Sequence, residues 1–268
     1  MNFFTLLKQA SRLWLNKGSE QHAAALAYFT PFALAPLLLI SITLVGVIIG
    51  RGDVIALLLR WGGLIDPDLP AFMSSSLANF EVLTTTYALP VFALLFFSLM
   101  ILFALNSLSS GLQKLWGLEY HGAKNLFWRS GRAILFILVF QVYLVLTIIS
   151  NNTFALAAEN SGLNIFYFFS SGVFFISTTL LFAIGYGLLP LSAPGFRSRL
   201  YGAVVATLLF LFTRSLVALH VATSPSPDIY GAAGLLLVLL IWIYMSACIM
   251  YFGAAFAKVH QDSLSATT

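Results

Sequence analysis

Residues Tyr230–Ala257 read YGAAGLLLVLLIWIYMSACIMYFGAAFA, without one Asp, Glu, Lys or Arg. Hydrocarbon offers a backbone N–H or C=O no partner. An uncharged run of about 20 residues therefore satisfies these groups internally, as a helix crossing the bilayer. Comparable runs lie near 23–50, 87–105, 133–156, 165–189 and 201–221. The short alternating segments of a membrane barrel are absent from the sequence. The reading is an all-α integral membrane protein of about six transmembrane helices.

Composition agrees. Only 8% of the 268 residues are charged and 60% are hydrophobic, with a mean hydropathy of +0.96. A water-facing surface needs about 25% charged residues, so lipid must cover most of this one. No long polar stretch remains to build a soluble domain. The expected organisation is a cytoplasmic interfacial helix over 1–20, one membrane domain over 21–260 and a disordered tail over 261–268. Ala23–Gly50 is too long for the apolar region of a cleaved signal peptide, so it reads as a retained span. The lone Cys248 gives no disulfide framework and no cysteine-rich metal site.

Orientation follows from the basic residues. Lys8, Arg12 and Lys17 precede the first span, and Lys114, Lys124, Arg129 and Arg132 separate the second from the third. Arg197 and Arg199 stand between the fourth and fifth, and Lys258 follows the last. The opposite side holds only Arg51 and Arg60, while its loops around Glu159 and Asp228 have no Lys or Arg. Both termini are therefore expected in the cytoplasm. The basic balance is accounted for by topology and contact with membrane lipids. No basic stripe with interleaved aromatics calls for nucleic acid. Phe3–Leu15 places Phe3, Leu6, Leu7, Ala10 and Trp14 near one helical face, with Lys8 and Arg12 elsewhere. That pattern suits an amphipathic helix lying on the membrane surface, or a plain extension of the first span. Residues 51–86 read as an outer loop with one or two partly embedded helices.

Several ordered segments carry a resemblance. They are QHAAALAYFTPFALAPLLL at Gln21–Leu39, KLWGLEY at Lys114–Tyr120, GYGLLP at Gly185–Pro190, YGAVVA at Tyr201–Ala206 and the run from Ile229 to Phe256. Together, over about residues 10–260, they resemble the YihY/BrkB family of bacterial inner-membrane proteins. The resemblance implies a six-helix inner-membrane fold with cytoplasmic termini. Members have been labelled ribonucleases, linked to serum resistance, and suspected of transport or envelope roles. This chain departs from the pattern twice. It has Gly253-Ala254-Ala255 where an acidic residue commonly follows the last Gly-Ala, and Pro31 adds a second proline to the one matching Pro36.

The residues do not support a nuclease. Metal-dependent phosphodiester hydrolysis needs several carboxylates or histidines converging on a cation. The nine acidic residues are scattered over loops, and His22, His121, His220 and His260 never pair at ligand spacing. No catalytic set, metal site or cofactor motif is expected.

Other residues point towards a path through the membrane. Pro31 and Pro36 each remove a backbone donor and predict a kink or break in span one. Such a break either flanks a substrate site, as in transporters, or merely bends the helix around its neighbours. Arg214 lies about 22 Å up a core of about 30 Å, counted from Arg199. It reads either as a cation lining a path for an anionic group, or as a snorkelling or ion-paired residue, with Asp228, Glu159 or Gln141 as candidate partners. Tyr28 and Tyr186 are candidates for a polar cavity, and Tyr230 stands at the edge of the last span. His22 and Glu20, at the entrance to span one, form a candidate proton-titrating pair or the wet end of a helix. Small residues Ala23, Ala24, Ala27, Gly46 and Gly50 permit close packing, within the chain or between copies as a homo-oligomer.

Two functions of different class follow. A transporter or exporter of an anionic amphiphile would use a path between span one and the helices bearing Tyr186, Arg214 and Tyr230. A scaffolding protein of the cell envelope would instead show tightly packed helices and no cavity reaching the midplane. An intramembrane enzyme is the third and weakest reading.

Overall fold

The computed structural model describes residues 3–33, 88–118, 124–161, 165–190, 194–223 and 231–265. Among the described residues there are helices and turns and no strand. The helices are α1 (Phe3–Asn16), α2 (19–33), α3 (Ala88–Leu115), α4 (Lys124–Ser161), α5 (Ile165–Leu188), α6 (Phe196–Thr223) and α7 (Gly231–Ser265). The chain is thus an all-helical membrane protein. Four of these helices contain stretches long and apolar enough to cross a bilayer: Gly131–Ser150, Phe169–Leu188, Phe196–Val217 and Leu239–Ser265. They coincide with the last four runs read from the sequence. The run near 87–105 falls on α3. Of the run near 23–50 only residues 23–33 are described. Pro36, Gly46, Gly50, the loop 51–86, Asp228 and Tyr230 lie outside the described residues.

Burial runs opposite to that of a water-soluble protein. Only 11% of the apolar stretch in Gly131–Ser150 is buried. Leu138, Val142, Leu146, Ile176, Leu208, Phe212 and Ile241 are all more than half exposed. Apolar side chains turned outward along four neighbouring helices need a lipid solvent, since each would be strongly disfavoured in water.

The large departures from the hydropathy boundaries are all extensions. The helices run past the apolar stretches, α4 beginning at Lys124 and α3 ending at Leu115. Hydropathy marks where lipid starts, whereas the hydrogen-bond ladder continues into the polar region. The tail expected to be disordered from residue 261 is corrected for the same reason: α7 continues to Ser265. Two contacts hold it. Lys258 and Asp262 form an i,i+4 ion pair at 2.8 Å. Gln261 Oε1 accepts from the Gly195 backbone N–H at 3.0 Å and from the Ser198 hydroxyl at 3.1 Å, tying the end of α7 to the start of α6.

α1 is a separate helix, not an extension of span one. Gly18 adopts φ +63°, a left-handed conformation that ends a helix at little cost only for glycine. Its N–H donates to Leu15 O, and the Lys17 N–H donates to Leu13 O. The chain then turns into α2. α1 docks along α7 through buried Leu6 and Ala10 and through a Phe3–Phe256 ring contact at 5.8 Å.

α7 is the central helix, packed against α1, α3 and α6, while α4, α5 and α6 pack in sequence order. The tightest crossing joins α6 to α7. A side chain at Gly253 would meet the Tyr186 hydroxyl at 2.5 Å and the Gly202 carbonyl at 2.7 Å, and one at Gly202 would meet Ala257 Cβ at 2.7 Å. Small residues with Ala203, Ala206 and Ala254, all fully buried, let these backbones approach in a medium where dispersion contacts drive association. Ala23 and Ala27 are also consumed inside the chain, whereas Ala24 faces outward.

Candidate functional site

One end of the bundle collects α1, the starts of α2, α4 and α6, and the ends of α3, α5 and α7. It carries the basic residues and is called the basic end here. There the resembling motifs interlock. In KLWGLEY, Gly117 takes φ +70° and closes α3, with the Leu118 N–H donating to Gln113 O. Trp116 then turns inward, and its Nε1–H donates to Ala254 O on α7 at 3.0 Å. In GYGLLP, the Tyr186 hydroxyl donates to Met250 O at 2.7 Å. Leu189 O accepts from the Ser109 hydroxyl at 2.9 Å, and Pro190 O accepts from Arg132 at 2.9 Å. Tyr251 on α7 donates to Ser107 O at 3.2 Å. A ring of backbone carbonyls is thereby satisfied by side chains from other helices. This arrangement fixes helix register and leaves Tyr186 fully buried, with its hydroxyl already committed.

The remaining residues singled out from sequence are dispersed. Tyr28 faces outward on α2, 62% exposed, with Phe29 and Phe32 against its ring. The described part of α2 runs unbroken through Pro31. Gln141 is buried on α4. Glu20 has a carboxylate oxygen buried without a hydrogen-bond partner among the described residues. His22 nearby is held below its ordinary pKa, first by burial and then by the Lys114 ammonium, with Glu20 opposing them. A His–Glu neighbourhood is therefore present at the start of α2.

Arg214 sits in the half of α6 remote from the basic end, exposed, its guanidinium 4.7 Å from the centroid of the Phe174 ring on α5. Phe174 also lines a cavity of about 190 Å³ between α4 and α5, together with Thr147, Ser150, Ser170 and Ser177. The Thr147 hydroxyl is buried there without a partner among the described residues. This group of hydroxyls was not singled out from the sequence. Its signal was present: Thr147 and Ser150 are one helical turn apart, and Ser170 and Ser177 two turns apart, so each pair shares a face. Two further cavities exist. One, of about 200 Å³ with a wholly apolar lining, lies between Leu26 and Ala33 of α2, Leu105 of α3, Phe136 of α4, Phe182 of α5 and Met250 of α7. The other, of about 300 Å³, is a groove between α1, α6 and α7. Neither Arg214 nor Tyr28 lines any of the three. Among the described residues, no three His, Cys, Asp or Glu side chains converge as a metal site would require.

Comparison with known proteins places this geometry in a lineage. A family model described as virulence factor BrkB matches residues 10–268. A UPF0761 membrane protein of Alcanivorax borkumensis is 25% identical over 260 residues, covering 96% of this chain and 59% of the relative. Similar proteins of Psychromonas ingrahamii and Alteromonas mediterranea are 37% and 42% identical over 91 and 78 residues. Those matches span 34% and 29% of this chain and 31% and 26% of the relatives, so the chain matches a third or less of those two relatives and 59% of the first. No solved structure matches. With the match running almost from end to end, the chain belongs to the BrkB family of membrane proteins.

Proposed function

We propose that this protein carries an anionic amphiphile across the bacterial inner membrane, with Arg214 receiving the charged group in the half of the bilayer away from the basic end. The supporting observation is the placement of Arg214. A guanidinium at that depth costs a few kcal/mol by insertion scales. Here it lies over the Phe174 ring, a cation–π contact that offsets part of this cost. Phe174 also lines the mostly apolar cavity between α4 and α5 that carries the buried Thr147 hydroxyl. An apolar tail can lie on the outward faces of α4 to α6 while a phosphate or carboxylate meets Arg214 and the hydroxyls. Nothing in the sequence suggests ATP use, so movement is passive, ion-coupled or driven by a partner.

The test is lipid translocation in vesicles containing the purified chain. A head-labelled or chain-labelled phosphatidylglycerol should cross faster than the matching phosphatidylcholine. Arg214→Gln should slow the anionic lipid by roughly tenfold, the effect of losing about 1.4 kcal/mol of differential interaction. Rates equal to those of protein-free vesicles, or unchanged in Arg214→Gln, would reject the proposal.

A further inference from the structure

We propose a second lipid site at the basic end: the groove between α1, α6 and α7 holds one acyl chain of an anionic phospholipid whose headgroup lies on Lys8 and Arg12. It is separate from the Arg214 region and does not depend on transport.

The groove, about 300 Å³, is lined by Ser11, Trp14 and Leu15 of α1, Leu209 of α6, and Met245, Cys248, Ile249 and Phe252 of α7. Its walls are almost wholly apolar, as an acyl chain requires. Of its polar side chains, Ser11 donates its hydroxyl to Leu7 O at 2.9 Å, whereas Trp14 Nε1 is buried and has no hydrogen-bond acceptor among the described residues.

The charge lies beside the groove. Successive helical residues turn by about 100°, which brings Ser11, Phe4, Leu15, Lys8 and Arg12 side by side on one strip of α1. Beyond half-buried Ser11 the strip is apolar and exposed, with Phe4 at 83% and Leu15 at 60%. Lys8 and Arg12 follow, both exposed and neither ion-paired among the described residues. α1 itself contains no acidic residue. With its opposite face already docked on α7, this strip has an apolar half turned to acyl chains and a cationic half turned to headgroups. Charge complementarity commits the occupant to an anionic phospholipid rather than a zwitterionic one.

Trp14 reports on the groove directly. The full chain is placed in phosphatidylcholine vesicles containing either phosphatidylglycerol or additional phosphatidylcholine brominated on one acyl chain. The difference between wild-type and Trp14→Phe fluorescence isolates Trp14. Brominated phosphatidylglycerol should quench it with an affinity advantage on the order of tenfold, given two basic residues at the headgroup level. Quenching should saturate as the anionic lipid is increased. The advantage should vanish in a Lys8→Gln, Arg12→Gln double variant, which alters only exposed positions, and also in high salt. Equal quenching by both lipids overturns the proposal. So does an advantage that persists in the double variant, or a linear, unsaturating response, which would indicate general surface accumulation.

Discussion

A methyl group added at Gly253 would stand 2.5 Å from the Tyr186 hydroxyl and 2.7 Å from both Ala206 Cβ and the Gly202 carbonyl. Three neighbours from two helices cannot all retreat, so Gly253→Ala should destabilise the bundle by about 1–3 kcal/mol, the usual range for overpacking. Tyr186→Phe removes only the 2.7 Å bond to Met250 O and should cost about 0.5–1.5 kcal/mol. Because the hydroxyl is the nearest obstacle, the glycine substitution should cost less in the Tyr186→Phe background than alone. Thermal unfolding midpoints of the four proteins in one detergent check both expectations. Additive losses would show that the two residues are not coupled. His22 gives a second prediction at this scale. The unfolded chain protonates this imidazole near 6.5, while burial and Lys114 make the folded state do so only at lower pH. The stability linked to neutral His22 is thus complete above 6.5, is lost as pH falls from there to the folded-state value, and levels off below it. His22→Gln should flatten that part of the stability–pH curve. Lys114→Gln should make the loss smaller, because removing one cause of the depression raises the folded-state value towards 6.5 and narrows the pH window.

At the scale of elements, the turns govern how helices are joined. Gly117 has φ +70° and nothing within 4 Å of the position a Cβ would take, so Gly117→Ala tests conformation free of any clash. The left-handed state should cost it about 1 kcal/mol, and Gly117→Asn less, since Asn tolerates this region better. Equal midpoints for glycine, asparagine and alanine would show that the turn does not limit stability. Gly18 holds the same conformation between α1 and α2, with room for a side chain against Gln21. Both turn positions stand in plain view in the sequence, but their handedness does not. A glycine in an apolar chain can mark a turn, a close crossing or neither, and only the backbone angles separate Gly18 and Gly117 from Gly202 and Gly253.

For the molecule as a whole, the contacts at the basic end join the N-terminal helix to the C-terminal one. α1 packs on α7, and from this packing and the basic-residue bias we predict that Phe4 and Leu264 face the same side of the membrane. A protein in which Cys248 is replaced by Ser, carrying a single new cysteine at Phe4 or at Leu264, should be labelled by an impermeant reagent from the same side in both cases. In cells that side should be the cytoplasm. Opposite labelling of the two positions would overturn the arrangement.

The sequence by itself determined that the chain is helical and membrane-embedded. Twenty-residue uncharged runs have one backbone solution in hydrocarbon, and that rule needs no tertiary contact. It also marked the motifs that hold the basic end together, without revealing what they do. Gly202 and Gly253 approach each other, and Trp116 reaches Ala254, across residues far apart in the chain, and such pairings depend on which helix faces which. The tertiary structure alone decided the fate of the site residues. It committed the Tyr186 hydroxyl to a carbonyl, turned Tyr28 outward, and laid Arg214 on the Phe174 ring of α5. The physical reason is that hydropathy reports how deep a residue lies in the membrane and not the direction in which it points. The unbroken run Tyr230–Ala257 shows both halves of this: its length specified a crossing, while α1, α3 and α6 determined which of its faces would be buried.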